Sequence, residues 1–309
     1  QAIKRAATSL FSSVFSSSTI DPGTKHSPPM DGDWWAYGRN SYNNRYSPLT
    51  QITESNAHKL ELAHTWDLPL NQIDMSQHPN KQFGPNEGTP LKIGRYLYTC
   101  SAASQVSKFD LETGTPATDE SGNELLYDPQ IHVNPSIIMI GFLHRGLAYW
   151  YDEKTKTGRI ILARGDGVLV ALTLEDLTPI ESFGVNGEVK LHEHQTPVGS
   201  PLRFAITSPP AICRNVIVVG SVMPDLSQGH HPPRGDVVGI NAESGDIIWK
   251  FQTIPTNEEM ESIGLDPNEE WKEGCNEHSG HANVWSVISA DAELDLVYLP
   301  VSGAVNDSY

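Results

Sequence analysis

The residues able to hold a metal or move a proton give the first constraint. His192-Glu193-His194 sets two imidazoles at i and i+2, which would share one face of a strand, and His230-His231 adds a second pair. Both lie in polar, proline-containing sequence of the kind that leaves histidines solvated, so neither is expected to bind metal. Arg164-Gly165-Asp166-Gly167 has the small residues of a phosphate cradle, but no helix follows, which makes it a hairpin turn. Cys100, Cys213 and Cys275 lie far apart without a CxxC pair, which excludes a zinc ribbon and a disulfide scaffold. The odd count leaves at least one thiol unpaired. No Ser, His and Asp arrangement for nucleophilic catalysis can be read from spacing.

The elements that carry these residues are β-strands. Short β-branched or aromatic runs bounded by Gly, Asn, Asp and Pro recur at Arg95 to Cys100, Arg159 to Leu162, Val168 to Leu172, Val216 to Val219, Val237 to Ile240 and Leu296 to Pro300. Helical periodicity is brief, at Ser55 to Leu62 and Asn257 to Ile263. In 309 residues, 25 Gly and 22 Pro exceed average usage, as many tight turns require. The chain is 38% apolar with seven Trp, enough for a sizeable core. A net charge of −17 argues against nucleic acid or an anionic membrane as the main partner. The longest apolar run, Ile137 to Leu143, is broken at Gly141 and falls far short of the ~20 residues of a spanning helix. Residues 1–30 read as a Ser-rich tail, either the end of a targeting segment or a linker after an upstream anchor. The chain begins without Met and stops just after a strand-like run, which reads as a fragment or processed piece.

A repeat organises the strands. Phe109-Asp110-Leu111-Glu112-Thr113-Gly114 follows one strand, and Ile240-Asn241-Ala242-Glu243-Ser244-Gly245, leading on to Trp249, follows another. Val170 to Leu177 is a degenerate copy between them. The spacings are 63 residues from Gly114 to Leu177 and 68 from Leu177 to Gly245. Each unit is a strand, a polar turn closed by Gly and a further strand; it cannot bury both faces alone, so neighbours must stack. This points to an all-β propeller with long blades, with a pair of β-sandwiches as the competitor. About four blades fit between Asp31 and Tyr309.

Six motifs in order carry a family resemblance. They are Asp33-Trp34-Trp35-Ala36-Tyr37-Gly38-Arg39-Asn40 with Arg45-Tyr46-Ser47-Pro48-Leu49, then Glu87-Gly88-Thr89-Pro90-Leu91, then His144-Arg145-Gly146-Leu147-Ala148-Tyr149-Trp150. Thr207-Ser208-Pro209-Pro210, Gly235-Asp236 leading to Trp249, and Gly280-His281-Ala282-Asn283-Val284-Trp285 complete the set. In this order they resemble the quinoprotein dehydrogenases, eight-bladed propellers that bind pyrroloquinoline quinone (PQQ), and the glucose dehydrogenase branch more than the methanol dehydrogenases. The resemblance implies that residues 31–309 form the first half of such a propeller, about four of its eight blades.

It also implies roles. A flat tricarboxylic ortho-quinone needs a stacking surface, cations or donors for its carboxylates, and a divalent metal that polarises the accepting carbonyl. Trp285 matches the floor under the quinone, and Arg145 the arginine that reaches it. Glu87 and Thr207 match side chains that bond its edge, and Asn283 stands beside the ring. Asp225 falls where the family offers a carboxylate to Ca²⁺ or Mg²⁺. The second metal ligand falls at Val301-Ser302-Gly303, which departs from the family pattern: Ser302 substitutes, the alignment slips, or the cofactor supplies more of the coordination. Met139-Ile140 replaces the adjacent cysteines of the methanol branch, and Gly141 stands where the membrane glucose enzymes have histidine, so the quinone's ceiling is left to Phe142 or open.

The function so implied is oxidation of a sugar or alcohol by hydride transfer to the quinone, with electrons passed on to a quinone or cytochrome acceptor in a periplasmic or exported enzyme. Membrane association would come through an upstream segment. The general base is expected beyond Tyr309, so these residues alone are expected to be inactive. The alternative is a non-catalytic propeller that scaffolds protein assembly.

Overall fold

The computed structural model describes residues 32–68, 87–131, 143–194, 204–223 and 233–304. Residues 1–30 lie outside this range. Four antiparallel sheets follow one another along the described chain. The first contains β1 (Leu91–Ile93), β2 (Tyr96–Cys100), β3 (Val106–Asp110) and β4 (Thr115–Pro116), with β5 (Leu126–Tyr127) also paired to β3. The second is β6 (Ala148–Asp152), β7 (Thr157–Ala163), β8 (Val168–Thr173) and β9 (Glu188–Lys190). The third is β10 (Ala211–Cys213), β11 (Val216–Val219), β12 (Val237–Asn241) and β13 (Ile247–Phe251). The fourth is the hairpin β14 (Ser289–Asp291) and β15 (Leu296–Tyr298).

Side-chain alternation along a strand explains why these sheets stack. In β7 and β8, Ile160, Leu162, Val168, Val170 and Leu172 point into a core shared with Leu91, Tyr98 and Val106 of the first sheet. Their neighbours Ile161, Ala163, Leu169 and Ala171 point the other way, into a core shared with Ile212, Ile217, Val238 and Ile240 of the third. The far side of the third sheet, through Ala211, Val216, Val218 and Val237, meets Val284, Ile288 and Val297. Each inner sheet is thus apolar on both faces, which a two-layer sandwich would not need. β6 packs beside β10, and β10 beside β14, so the first strands of the second, third and fourth sheets lie side by side.

The repeat is visible at atomic scale. The Gly114 N–H donates to the Asp110 carbonyl and the Gly245 N–H to the Asn241 carbonyl, both at 2.9 Å. The Asp110 and Asn241 side chains accept from the Glu112 and Glu243 amides at 2.9 and 2.8 Å. In the degenerate copy Leu177 takes the left-handed position, φ 61. Trp249 lies opposite Gly239 with its ring where a Cβ would stand, 2.1 Å from the nearest ring atom, so only glycine fits there.

At the outer turns, a cation of each sheet reaches carbonyls of the next. Lys108 donates to the Leu174 and Glu175 carbonyls at 2.7 and 2.8 Å. Arg159 donates to those of Ala242 and Glu243 at 3.1 and 2.6 Å, and Arg214 to that of Ala292 at 2.8 Å. At the inner ends, residues 33–43 form a strap. Asp33 accepts from the Lys92 ammonium at 2.7 Å in the first sheet, while Asn43 donates to the Ile288 carbonyl at 2.8 Å beside the fourth. The Ala290 N–H donates to the Ser41 carbonyl at 2.8 Å.

Two local expectations are corrected. Ser55 to Leu62 is a 3₁₀ turn at Ala57–Lys59, because the Asn56 side chain accepts from the Thr53 amide instead of capping a helix and the segment buries no apolar face. His192-Glu193-His194 lies in a 3₁₀ turn, Leu191–His194, so these residues do not share a strand face. The helix expected at Asn257 to Ile263 is present as α1 (Asn257–Ser262), held by a capping box between Thr256 and Glu259. Arg164 to Gly167 is a hairpin turn, closed by the Arg164 side chain on Asp166. Cys100, Cys213 and Cys275 are all free thiols. Among the described residues, no helix is long and apolar enough to cross a membrane.

Candidate functional site

The segments that enter the first strand of each sheet lie side by side. The Thr89 N–H donates to the Arg145 carbonyl at 3.1 Å, and the Arg145 N–H to the Thr207 carbonyl at 2.8 Å. The Ser208 hydroxyl then donates to the Trp285 carbonyl at 2.5 Å. Glu87, Thr207 and Trp285 each stand four residues before β1, β10 and β14, and Arg145 stands three before β6. Sheet stacking therefore brings one side chain from each of four sheets to one place.

Arg145 is the hub. Its Nε pairs with Glu87 at 2.8 Å, its Nη1 donates to the Thr207 hydroxyl at 2.6 Å, and its guanidinium lies 5.4 Å from the Trp285 ring centre. Thr207 is buried, whereas Trp285 is 46% exposed, unusual for an indole beside a well-packed core. The adjacent cleft is lined by Thr207, Ser208, Gly220, Ser221, Val284 and Trp285. The Ser221 hydroxyl is buried there with no hydrogen-bond partner. Beneath Arg145, fully buried His144 accepts the Gly146 N–H at Nδ1 (3.1 Å) and faces the Ala163 carbonyl with Nε2 (2.9 Å). Burial pushes its pKa down to about 4, with Arg145 adding to the effect. Gly146 has φ 143, a conformation that side chains disfavour.

Asn283 is placed differently. It is buried, its amide donates to the Ser221 carbonyl at 3.0 Å, and its Oδ1 accepts from the Ser302 hydroxyl at 2.9 Å. Ser302 is thus beside Asn283, not in the Arg145 cluster. Asp225, Met139, Ile140, Gly141, Phe142 and His230-His231 lie outside the described residues. Among the described residues no group of three His, Cys, Asp or Glu is assembled that could hold a metal. Asp291 and Asp295, downstream of Trp285, serve the β14–β15 turn: Asp291 accepts from the Glu293 and Leu294 amides, and Asp295 pairs with Arg214. Sequence reasoning gave no role to Ser208 or His144, although each sits beside a residue it singled out.

A stack of antiparallel sheets carries an arginine, a carboxylate, a hydroxyl and an open indole at its inner end. Residues 34–309 match the PQQ family described as the glucose/ethanol/alcohol dehydrogenase β-propeller domain, and the chain belongs to that family. It is 31% identical over 308 residues to the quinoprotein glucose dehydrogenase of Escherichia coli (strain K12), covering 94% of this chain and 35% of that protein. It is also 31% identical over 292 residues to the glycerol dehydrogenase large subunit of Gluconobacter thailandicus, covering 91% and 35%. The chain thus spans about a third of the length of these relatives. The quinohemoprotein alcohol dehydrogenase structure from Comamonas testosteroni has the same fold, with a TM-score of 0.62 at 22% identity over 97% of this chain and 39% of that one.

Proposed function

We propose that this chain supplies the quinone-binding part of a PQQ-dependent dehydrogenase acting on a sugar or alcohol, with electrons passed to a quinone or cytochrome acceptor in the periplasm or outside the cell. One observation carries the reading: four successive sheets converge on a guanidinium held between a carboxylate, a hydroxyl and a half-exposed indole.

The donor set suits the cofactor. Arg145 offers a planar fork for carboxylate or carbonyl oxygens, Thr207 a hydroxyl, and Trp285 a flat apolar face. The unpartnered Ser221 hydroxyl gives the same cleft a further polar group. When bound, PQQ supplies the two-electron acceptor for the substrate's hydride. The chain's part is to orient the ring plane through Trp285 and to hold positive charge at its edge through Arg145, with Glu87 keeping the guanidinium in place. Asp225 and Ser302, both oxygen donors, are our proposed ligands for Ca²⁺ or Mg²⁺, and Asn283 holds the Ser302 hydroxyl in position. We assign no general base, since Asp291 and Asp295 are engaged in their turn.

The test is a titration of the complete protein with PQQ in the presence of Ca²⁺ or Mg²⁺, followed by glucose and alcohols with an artificial acceptor. Saturable binding, weakened by about 1–3 kcal/mol in Trp285→Ala through lost stacking, is the expected result. Absence of PQQ binding with either ion would overturn this reading.

A further inference from the structure

We infer that His144, as a neutral imidazole with its proton on Nε2, is the positioning residue that sets Arg145. The hydrogen bonds fix this tautomer. Nδ1 accepts the Gly146 N–H at 3.1 Å, so it carries no proton, and Nε2 therefore donates to the Ala163 carbonyl at 2.9 Å. Ala163 ends β7, the strand next to β6 in the second sheet. The ring thus ties the main chain just before and just after Arg145 to the end of its own sheet. The flanking sheets tie the Arg145 peptide groups, through Thr89 and Thr207. With the backbone held from three sheets, the guanidinium meets Glu87 and Thr207 together, a geometry that tolerates errors of only about 0.5 Å.

Charge explains why the ring must stay neutral. A second proton would abolish the acceptor for Gly146 and set a buried cation beside the guanidinium. Burial and the Arg145 charge both oppose that proton. A phenyl ring would fill the same space but could bond neither Gly146 nor Ala163.

The inference rests on the reading of Arg145 as a quinone contact, and the experiment separates the two. His144→Phe, His144→Asn and His144→Gln are made in the complete protein, each alone and combined with Arg145→Leu. PQQ affinity is measured with Ca²⁺ present. In the absence of cofactor, the emission of Trp285 is taken as the difference from a Trp285→Phe background. His144→Phe is expected to weaken PQQ binding at least 10-fold with Arg145 present and less than 2-fold once Arg145 is Leu. It should also shift the Trp285 emission as Arg145→Leu does. His144→Asn, which keeps an acceptor at the Nδ1 position, should recover most of both. His144→Gln keeps a donor for Ala163 but not that acceptor, and is held to the same two readouts if the phenyl variant does not fold. Equal losses with and without Arg145, or an unmoved Trp285 emission, would overturn the positioning role. Failure of the unaltered protein to bind PQQ would remove the quinone reading while the emission test still decides the role of His144.

Discussion

The molecule uses buried and partly buried cations in two ways. At the outer turns, Lys108 and Arg159 give their donors to main-chain carbonyls of the next sheet, and Arg214 divides its donors between such carbonyls and the Asp295 carboxylate. At the inner end, Arg145 gives its donors to side chains, a carboxylate and a hydroxyl, and lies beside an indole left half-exposed. These carbonyls belong to the turns of the neighbouring sheet, so the outer cations hold sheets together. Arg145, held by side chains beside an open indole, is the cation we propose contacts the quinone. The difference shows that a guanidinium's partners reveal its purpose better than its burial does.

Acid should break the inner end while leaving the outer cations charged. The unfolded pKa of histidine is about 6.5 and that of folded His144 is about 4, so the unfolded chain binds the proton more readily between those values. The stability it contributes is whole above pH 6.5 and is lost as pH falls through 4, to the extent of about 3 kcal/mol. Urea midpoints of the complete protein across pH 7 to 4, compared with His144→Asn, measure this; parallel curves would refute it. Arg159→Leu loses two charge-assisted bonds and the stacking on Trp150, for an expected cost of about 2–3 kcal/mol in stability with PQQ affinity unchanged. Arg145→Leu should show the reverse, about 2 kcal/mol in PQQ affinity with a change in stability below about 1 kcal/mol. Matching profiles for these two variants would erase the distinction drawn here. The smallest effect belongs to Arg95, which is half-exposed where it pairs with buried Asp110 and exposed Glu112: Arg95→Ala should lower the urea midpoint by less than Arg159→Leu does and leave PQQ binding unmoved.

The strands were legible because β-branched runs and Gly-closed turns are local signals. Val216 to Val219 was read to the residue, and the turns at Gly114 and Gly245 have the hydrogen bonding their sequences imply. The stacking was legible only as a need: two-sided apolar strands must have neighbours. Family likeness singled out Glu87, Arg145, Thr207 and Trp285, and the fold brings these four together. Asn283 faces Ser221 and Ser302, a pairing across the chain that no pattern in the sequence reveals. The same holds for His144, whose partners Gly146 and Ala163 are chosen by main-chain geometry. The short helix expected near Ser55 failed because Asn56 had a closer donor in Thr53.

The strap at residues 33–43 has a consequence in time. Asn43 bonds to Ile288, 245 positions later. At roughly 5–20 residues per second, a ribosome would need about 12 to 50 s to make the second partner after the first. Throughout that interval the finished sheets must wait with their inner ends uncovered, and Trp35 has only part of its final surroundings. The yield of folded protein should therefore depend on synthesis rate and chaperone supply.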